Sequence, residues 1–406
     1  MTTVKSERTD RLERVGDLLD GRPGFRLTGE WGHVSILEGG GHICEMVSNR
    51  HPGINPLWRP TWKTMEPYRY DVTTDAATYG PLPDGRLLAG IAGHSLSFDF
   101  FGPPSADEIA AGHSTHGEAP AMQWSVSAAK ETSAPTAEFR LSLLEARIEF
   151  SRKLSIDLHA PVVYIEESAT NLMSLDRPIS WNEHVTLGPP FLECGTTIVD
   201  MPATKCRVSS ESFSSSMLVH PDADFEWPMA PGMDGSQHDL RTMPDKIYSQ
   251  YTAQLLDPQV EFGYVAAANP RLQLLMIYVF RRADFPWVGN WEERLARSHA
   301  PWNQQAFCRG LEFSTTPFAI PRRETISQGH LFNEPTYCWL PAKATVNLRY
   351  MALLVDVPAD FRGVDRVTVA ENEVCIVERK AGRTFSSPAS AFLQKLKTST
   401  HSASDG

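Results

Sequence analysis

The chain has 406 residues, and 41% of them are hydrophobic, which is enough for a sizeable core in one large all-β domain or several smaller domains. Its formal net charge of −11 argues against the basic surface that a nucleic acid or an anionic membrane needs. No apolar run reaches the roughly 18 residues of a membrane span, and the six cysteines form no CxxC pair. These features predict a cytoplasmic protein with free thiols and with no membrane or nucleic-acid partner, and they leave the oligomeric state open.

The first element along the chain is a short charged segment over residues 1–22. Leu12, Val15, Leu18 and Leu19 recur there at helical spacing between charged residues. This spacing predicts a helical leader that ends near Gly21, before the main domain begins.

The body of the chain, residues 23–385, consists of short segments rich in β-branched and aromatic residues. They are bounded by Gly, Pro, Asn or Asp, and no long amphipathic helix interrupts them. This pattern predicts a single all-β domain of antiparallel strands, followed by a partly disordered Ser-rich tail over residues 386–406. The clearest predicted strand segments are residues 140–157, 162–171, 273–280 and 344–357.

Four stretches of this β pattern carry polar side chains that a sandwich core does not need. Taken singly, each has an ordinary structural explanation, such as a hydrogen-bonded histidine at a strand end. Taken together, two histidines, an aspartate and a glutamate on separate strands of a curved sheet can converge on one cleft, as an acid–base pair on opposite sides of a sugar ring requires. The stretches are HSTHGEAPAMQW (113–124), WNEHVTLG (181–188), QHDLR (237–241) and CRGLEFSTTPF (308–318).

These motifs resemble those of the galactose mutarotases, or aldose 1-epimerases, and they occur in the same order as in that family. The resemblance is distant and extends over about residues 30–360. The matching residues are His116-Gly117 with Trp124 downstream, His184 at the end of ATNLMSLDRPISWNEH, Asp239-Leu240-Arg241, and Arg309-Gly310-Leu311-Glu312.

The resemblance implies an antiparallel β-supersandwich with a shallow sugar cleft, a small-molecule sugar as the partner, and no cofactor or metal. It makes Glu312 the catalytic base and His184 the catalytic acid in anomer interconversion. It also implies that His116 and Asp239 bind sugar hydroxyls. The remaining candidate substrate-binding residues are His94, Trp124, Arg309 and Trp287, with Trp291 as the other tryptophan that could stack on a sugar.

The chain departs from the family pattern in two places. Family members usually carry an arginine upstream of the His-Gly motif, whereas this chain has AGIAGHSLSFDFFG, in which His94 is the candidate replacement. The residue before His184 is Glu183, where the family usually has a small or uncharged residue. Since neighbouring strand residues alternate between faces, we expect Glu183 to be a structural carboxylate on the face opposite His184.

Two alternative functions remain open on the sequence alone. The first is a carbohydrate-binding protein of the same fold that does not catalyse a reaction. The second is a metal site of cupin type, built from His113, His116 and Glu118. The HxxHxE spacing of this set differs from the tighter HxH of cupins. The sequence does not identify the sugar, nor whether it carries a phosphate or another anionic group.

Overall fold

The computed structural model describes residues 11–128, 134–210, 216–389, 393–394 and 396, and it is built almost entirely of antiparallel β-strands. In chain order, the strands are β1 (Leu12–Leu19), β2 (Arg22–Thr28), β3 (Gly32–Leu37), β4 (Ile43–Ser48), β5 (His94–Asp99), β6 (Ser125–Ala128), β7 (Thr136–Leu143), β8 (Ile148–Ile156), β9 (Val162–Asn171), β10 (Arg177–Leu187), β11 (Ile198–Asp200), β12 (Ala203–Val208), β13 (Asp224–Glu226) and β14 (Met229–Pro231). They continue with β15 (Gln237–Asp239), β16 (Tyr248–Leu256), β17 (Phe262–Asn269), β18 (Leu274–Arg281), β19 (Trp287–Arg294), β20 (Phe307–Ser314), β21 (His330–Leu331), β22 (Glu334–Pro335), β23 (Cys338–Leu340), β24 (Thr345–Asp356), β25 (Val364–Val369), β26 (Glu373–Glu378) and β27 (Thr384–Pro388).

Helices are short and lie in the connections between strands. Among the described residues, no helix is long and apolar enough to cross a lipid bilayer. The helices are α1 (Val72–Tyr79), α2 (Gly85–Gly90), α3 (Ala106–Ala110) and α4 (Arg322–Gln328), with 3₁₀ turns at Pro67–Arg69 and Ala119–Ala121.

Two large sheets face each other and enclose the main hydrophobic core. The first is a 14-stranded sheet whose central order is β5-β10-β20-β19-β16, and the second has eight strands in the order β11-β17-β18-β24-β9-β8-β7-β6. Aromatic side chains bridge the two: Trp181 packs on Phe150 with ring centroids 5.6 Å apart, and Phe313 packs on Tyr350 at 5.1 Å. This architecture confirms the predicted antiparallel β-supersandwich.

The predicted helical leader is wrong where the structure describes it. Residues Leu12–Leu19 form strand β1, which pairs with β2 at one edge of the 14-stranded sheet. Leu18 and Leu19 are buried against Leu37 and Cys44. Strand pairing satisfies the backbone and buries these side chains together, so tertiary contacts override the helical spacing. Residues 1–10 lie outside the described residues.

The predicted limits at the other end of the chain also change. Strand β27 crosses the expected boundary at residue 385 and joins β25 and β26 in a three-stranded sheet. This sheet packs on the outer face of the eight-stranded sheet, where Leu393 and Leu396 are buried with it. The expected disorder of the remaining tail falls on residues outside the described part of the chain.

The segment 140–157, predicted as one strand unit, contains parts of β7 and β8 joined by a turn. Glu118 stabilises the turn, because its carboxylate accepts hydrogen bonds from the backbone N–H groups of Leu144, Glu145 and Ala146 at 2.9–3.2 Å. A single sequence pattern can therefore cover two paired strands when the turn between them lacks Gly or Pro.

A cluster of buried charges lies between the two large sheets. Arg152 contacts Glu167 at 2.5 Å and Glu183 at 3.1 Å, and His94 Nε2 lies 2.8 Å from Glu183. The Tyr350 hydroxyl donates to both carboxylates, at 2.8 Å to Glu183 and 3.1 Å to Glu167. Because charges buried in this way must be paired, the cluster ties strands β5, β8, β9, β10 and β24 to one another.

Replacing Arg152 with Met tests the energetic role of this cluster. The substitution leaves two buried carboxyl groups without their cation, so we expect the free energy of unfolding to fall by about 3–5 kcal/mol. Arg140→Met is the matched control on β7: the Arg140 side chain is 66% exposed beside Glu138, and its removal should cost less than about 1 kcal/mol. Urea denaturation followed by circular dichroism measures both, and equal losses would contradict the assignment.

Candidate active site

A cavity of about 260 Å³ opens on the outer face of the 14-stranded sheet, away from the main core. Its floor comes from four neighbouring strands, β10, β20, β19 and β16, and its walls come from α2 and from the connections around it. The polar side chains that line it are Asp84, Thr115, His116, His184, Arg297, His299 and Glu312. The aromatic side chains are Phe101, Tyr251, Trp291 and Trp302.

His184 and Glu312 form a pair on the floor of this cavity. They are directly opposite each other in the β10–β20 register, and His184 Nε2 lies 3.3 Å from Glu312 Oε1. The other ring nitrogen of His184 lies 3.0 Å from the Thr186 hydroxyl, which fixes the plane of the imidazole. Gly310 leaves room for the carboxylate, because a Cβ there would lie 2.4 Å from Glu312 Oε1. The two groups therefore lie side by side, not on opposite sides of a ring-sized space.

Burial shifts the proton affinities of this pair in opposite directions. Loss of solvent raises the pKa of Glu312 to about 8, with the Asn182 side chain acting against the rise. Loss of solvent also lowers the pKa of His184 to about 4, and the charge of Arg297 contributes in the same direction. Between about pH 4 and pH 8 the pair holds one transferable proton, which both groups share as a coupled site.

His116 reaches the cavity through an unusual backbone conformation. His116 and Gly117 both have positive φ, 64° and 81°, and a Cβ at residue 117 would lie 2.1 Å from the Phe98 carbonyl oxygen. This is the physical reason for glycine in the His-Gly motif. The Gly102 N–H donates to His116 Nδ1 at 3.1 Å, so His116 carries its proton on Nε2. Burial keeps the pKa of His116 well below its usual value, and the ring is a neutral donor.

No protein-family model matches the sequence, and no curated protein sequence matches it. Solved structures do match. A candidate aldose 1-epimerase from Klebsiella pneumoniae has a TM-score of 0.62 at 14% identity, covering 84% of this chain and 81% of that chain. A galactose mutarotase-like protein from Clostridium acetobutylicum has a TM-score of 0.55 at 13% identity, covering 86% and 99%. A galactose mutarotase related enzyme from Lactobacillus acidophilus has a TM-score of 0.52 at 12% identity, covering 82% of this chain and 98% of that chain.

The chain has the galactose mutarotase-like fold. Identities of this size show the fold alone, so the role of each residue depends on the geometry of this chain. Within the mutarotase-like fold, the structure brings three of the predicted site residues together in the cavity: His116, His184 and Glu312.

Two predicted substrate-binding residues lie instead in the core of the mutarotase-like sandwich. His94 is fully buried between the sheets, where its Nδ1 lies 3.1 Å from the Tyr278 hydroxyl and its Nε2 contacts Glu183. Trp124 donates its indole N–H to the Ala119 carbonyl at 3.0 Å. Their placement in the cavity is therefore wrong, because strand alternation directs His94 inward, and Trp124 packs in the core on Phe150 with ring centroids 5.7 Å apart.

Three other predicted contacts also lie away from the cavity. Asp239 is exposed on β15 at the far edge of the large sheet. Arg309 lies on the face of β20 opposite Glu312, where it donates to Asn290 Oδ1 at 2.9 Å. Trp287 is on the cavity side of β19, but its indole N–H donates to the Pro335 carbonyl at 2.8 Å, and it does not line the cavity. Trp291, four residues later on the same face of β19, lines it instead.

Arg297 is a cavity residue that sequence reasoning missed. Its guanidinium lies 4.4 Å from the centre of the Trp302 ring and 5.1 Å from that of Trp291, and its Nε lies 3.2 Å from Glu293. It belongs to the connection after β19, which carries no motif. An arginine therefore reaches this cavity from a different segment than the one where the family pattern led us to look for it.

The metal-site alternative does not fit the structure. Of its three proposed ligands, Glu118 stabilises the β7–β8 turn, His113 packs on Phe100 with ring centroids 4.6 Å apart, and His116 lies in the cavity. Across the described part of the chain, no three His, Cys, Asp or Glu side chains are grouped so that they could hold a metal ion.

The raised pKa of Glu312 predicts a specific pH dependence of stability. In an unfolded chain a glutamate loses its proton near pH 4.3 and a histidine near pH 6.5. Between about pH 6.5 and 8 the native state keeps the Glu312 proton and the unfolded state does not, so stability falls as pH rises. His184 makes stability rise with pH, but only below about pH 6.5, because its pKa in the native state is lowered.

We therefore expect the free energy of unfolding of the wild type to fall by up to about 2 kcal/mol relative to that of Glu312→Gln as the pH rises from 6.5 to 8. Taking the difference between the two proteins removes the contribution of other titrating groups, such as Glu167. Urea denaturation at several pH values measures it. Parallel stability curves for the two proteins would mean that Glu312 titrates as it does in water.

Proposed function

We propose that this protein interconverts the anomers of a monosaccharide by acid–base opening of the sugar ring, as an aldose 1-epimerase does. The observation that carries the proposal is the contact between His184 and Glu312 on the floor of the cavity. The two oxygens that exchange protons in ring opening are bonded to the same carbon. An acid and a base acting on them must therefore lie side by side, as these two side chains do.

The proton transfers balance within this pair. Ring opening starts when the single proton of the pair has moved from Glu312 to His184 across their 3.3 Å contact. Glu312 then takes the proton of the anomeric hydroxyl while His184 gives its proton to the ring oxygen, so the bond from C1 to the ring oxygen breaks and a carbonyl forms. Rotation about the C1–C2 bond presents the other carbonyl face, and the reverse transfers close the ring. In the open-chain state Glu312 is protonated and His184 is neutral, which is the arrangement that burial favours.

Other cavity residues have positioning roles in this proposal. His116 presents its Nε2 hydrogen to a sugar hydroxyl, and Trp291 and Trp302 supply aromatic faces on which the apolar face of a sugar can lie. The size of the cavity suits a single sugar ring and not an oligosaccharide. A cytoplasmic location is part of the proposal and is supported by six cysteines that are all free thiols.

Replacing Glu312 with Gln should abolish anomer exchange and leave sugar binding largely intact. The amide keeps the shape of the side chain but cannot accept a proton, and one such group contributes about 10²–10⁴-fold to the rate. His184→Asn should have the same effect, and the double variant should be scarcely slower than either single variant, because the two groups act as a unit. NMR saturation transfer between anomer signals measures exchange.

Full activity in Glu312→Gln would rule out the mechanism. If wild type binds sugars but exchanges none of a broad panel of aldoses, the result would favour the alternative of a non-catalytic carbohydrate-binding protein.

His116→Ala should weaken binding as well as turnover, because the assigned role of His116 is to hold a hydroxyl and orient the ring. A lost hydrogen bond to a neutral donor costs about 0.5–1.5 kcal/mol, so we expect KM to rise roughly two- to tenfold. His113→Ala is the matched control, since His113 lies three residues earlier and does not line the cavity. An unchanged KM in His116→Ala would remove His116 from the binding site.

A further inference from the structure

The cavity offers few polar groups to a sugar apart from the His184–Glu312 pair. The Thr115 hydroxyl donates to Asp84 at 2.5 Å, so these two side chains already use part of their capacity on each other. The Gly102 N–H occupies His116 Nδ1, which leaves the Nε2 hydrogen. Arg297 lies against Glu293 and the two tryptophan rings, and His299 is the remaining polar side chain of the lining. This is a small set for a ligand that carries a hydroxyl on nearly every carbon.

Much of the cavity wall is aliphatic. Leu87, Leu88 and Ile91 lie on one side of α2 and at its end, and all three line the cavity. They are almost wholly buried, with 4%, 8% and 4% exposure, although they face a space large enough for a ligand. Ala319 adds another methyl group to the lining. None of these side chains can replace the water that a sugar hydroxyl loses on entry.

We infer that the preferred substrates are deoxy sugars, in which a methyl or methylene group replaces a hydroxyl-bearing carbon at the position that meets the wall formed by Leu87, Leu88 and Ile91. The inference rests on the proposed function and specifies its substrate class. A buried hydroxyl without a partner lowers affinity roughly five- to a hundredfold, whereas a methyl group in the same place gains from burial. The wall therefore discriminates against the fully hydroxylated sugar.

The test compares sugars that differ at one carbon. Suitable pairs are L-rhamnose with L-mannose, D-fucose with D-galactose, and 2-deoxy-D-glucose with D-glucose, and NMR saturation transfer gives kcat/KM for anomer exchange of each. We expect the deoxy member of at least one pair to have a kcat/KM at least tenfold higher. Equal or higher values for the hydroxylated member of all three pairs would overturn the inference and leave the proposed function standing.

Failure of the proposed function is a separate outcome. If wild type exchanges none of the six sugars, saturation-transfer difference NMR measures binding of the same pairs instead. Preferential binding of a deoxy member would support the inference for a non-catalytic binding site. Equal binding of both members, or no binding of any, would overturn it.

A variant tests whether the aliphatic wall is the cause of the preference. Leu88→Asn places an amide in the wall and should reduce the ratio of deoxy to hydroxylated kcat/KM about tenfold. Leu175→Asn is the matched control, because Leu175 is 69% exposed and does not line the cavity, and the ratio should not change. If Leu88→Asn does not fold, Ala319→Ser adds a single hydroxyl with little added volume and should shift the ratio in the same direction. An unchanged ratio in a folded wall variant would contradict the assigned role of the wall.

Discussion

The alternation of strand β10 between two environments is the constraint on which the rest of this structure depends. Glu183 points into the sandwich, where Arg152, His94 and Tyr350 surround it, and His184 points out toward the cavity. A register slip of one residue would bury His184 among the charges and expose Glu183 to the cavity. Because the buried carboxylate cannot leave its cation without a large penalty, the charge cluster fixes the position of His184.

Buried carboxyl groups on the two sides of the 14-stranded sheet have different partners. In the core, Glu183 and Glu167 both contact Arg152, and burial together with the charge of Glu183 raises the pKa of Glu167 to about 8. In the cavity, Glu312 Oε2 has no hydrogen-bond partner among the described residues, and its neighbour is a histidine that burial keeps neutral. Desolvation therefore leaves Glu312 holding a proton. The cost of burying carboxyl groups is offset by an arginine and a retained proton on the core side of the sheet, and by a retained proton alone on the cavity side.

The sequence allowed the fold class and the central pair to be predicted, because both depend on local patterns. Alternation identified the sandwich, and the motifs around His116, His184 and Glu312 led to residues that share one cavity. The prediction that Arg309 lies in the cavity was wrong for a reason already present in the pattern. Arg309 is an odd number of residues from Glu312 on one strand, so the two side chains point to opposite faces. The position of His94 depended on strand pairing, and those of Leu88 and Arg297 on connections without motifs, so no local signal could locate them.

The proton-transfer pair and the aliphatic wall lie in different parts of the fold, so one can change without the other. The proton-transfer pair belongs to two central strands locked by the core, whereas the aliphatic wall belongs to the connection that contains α2, a six-residue helix between β4 and β5. Connections of this kind tolerate replacement far better than central strands do. Ligand preference can therefore be re-engineered, or diverge among descendants of one gene, by exchanging the α2 connection while the reaction chemistry stays the same.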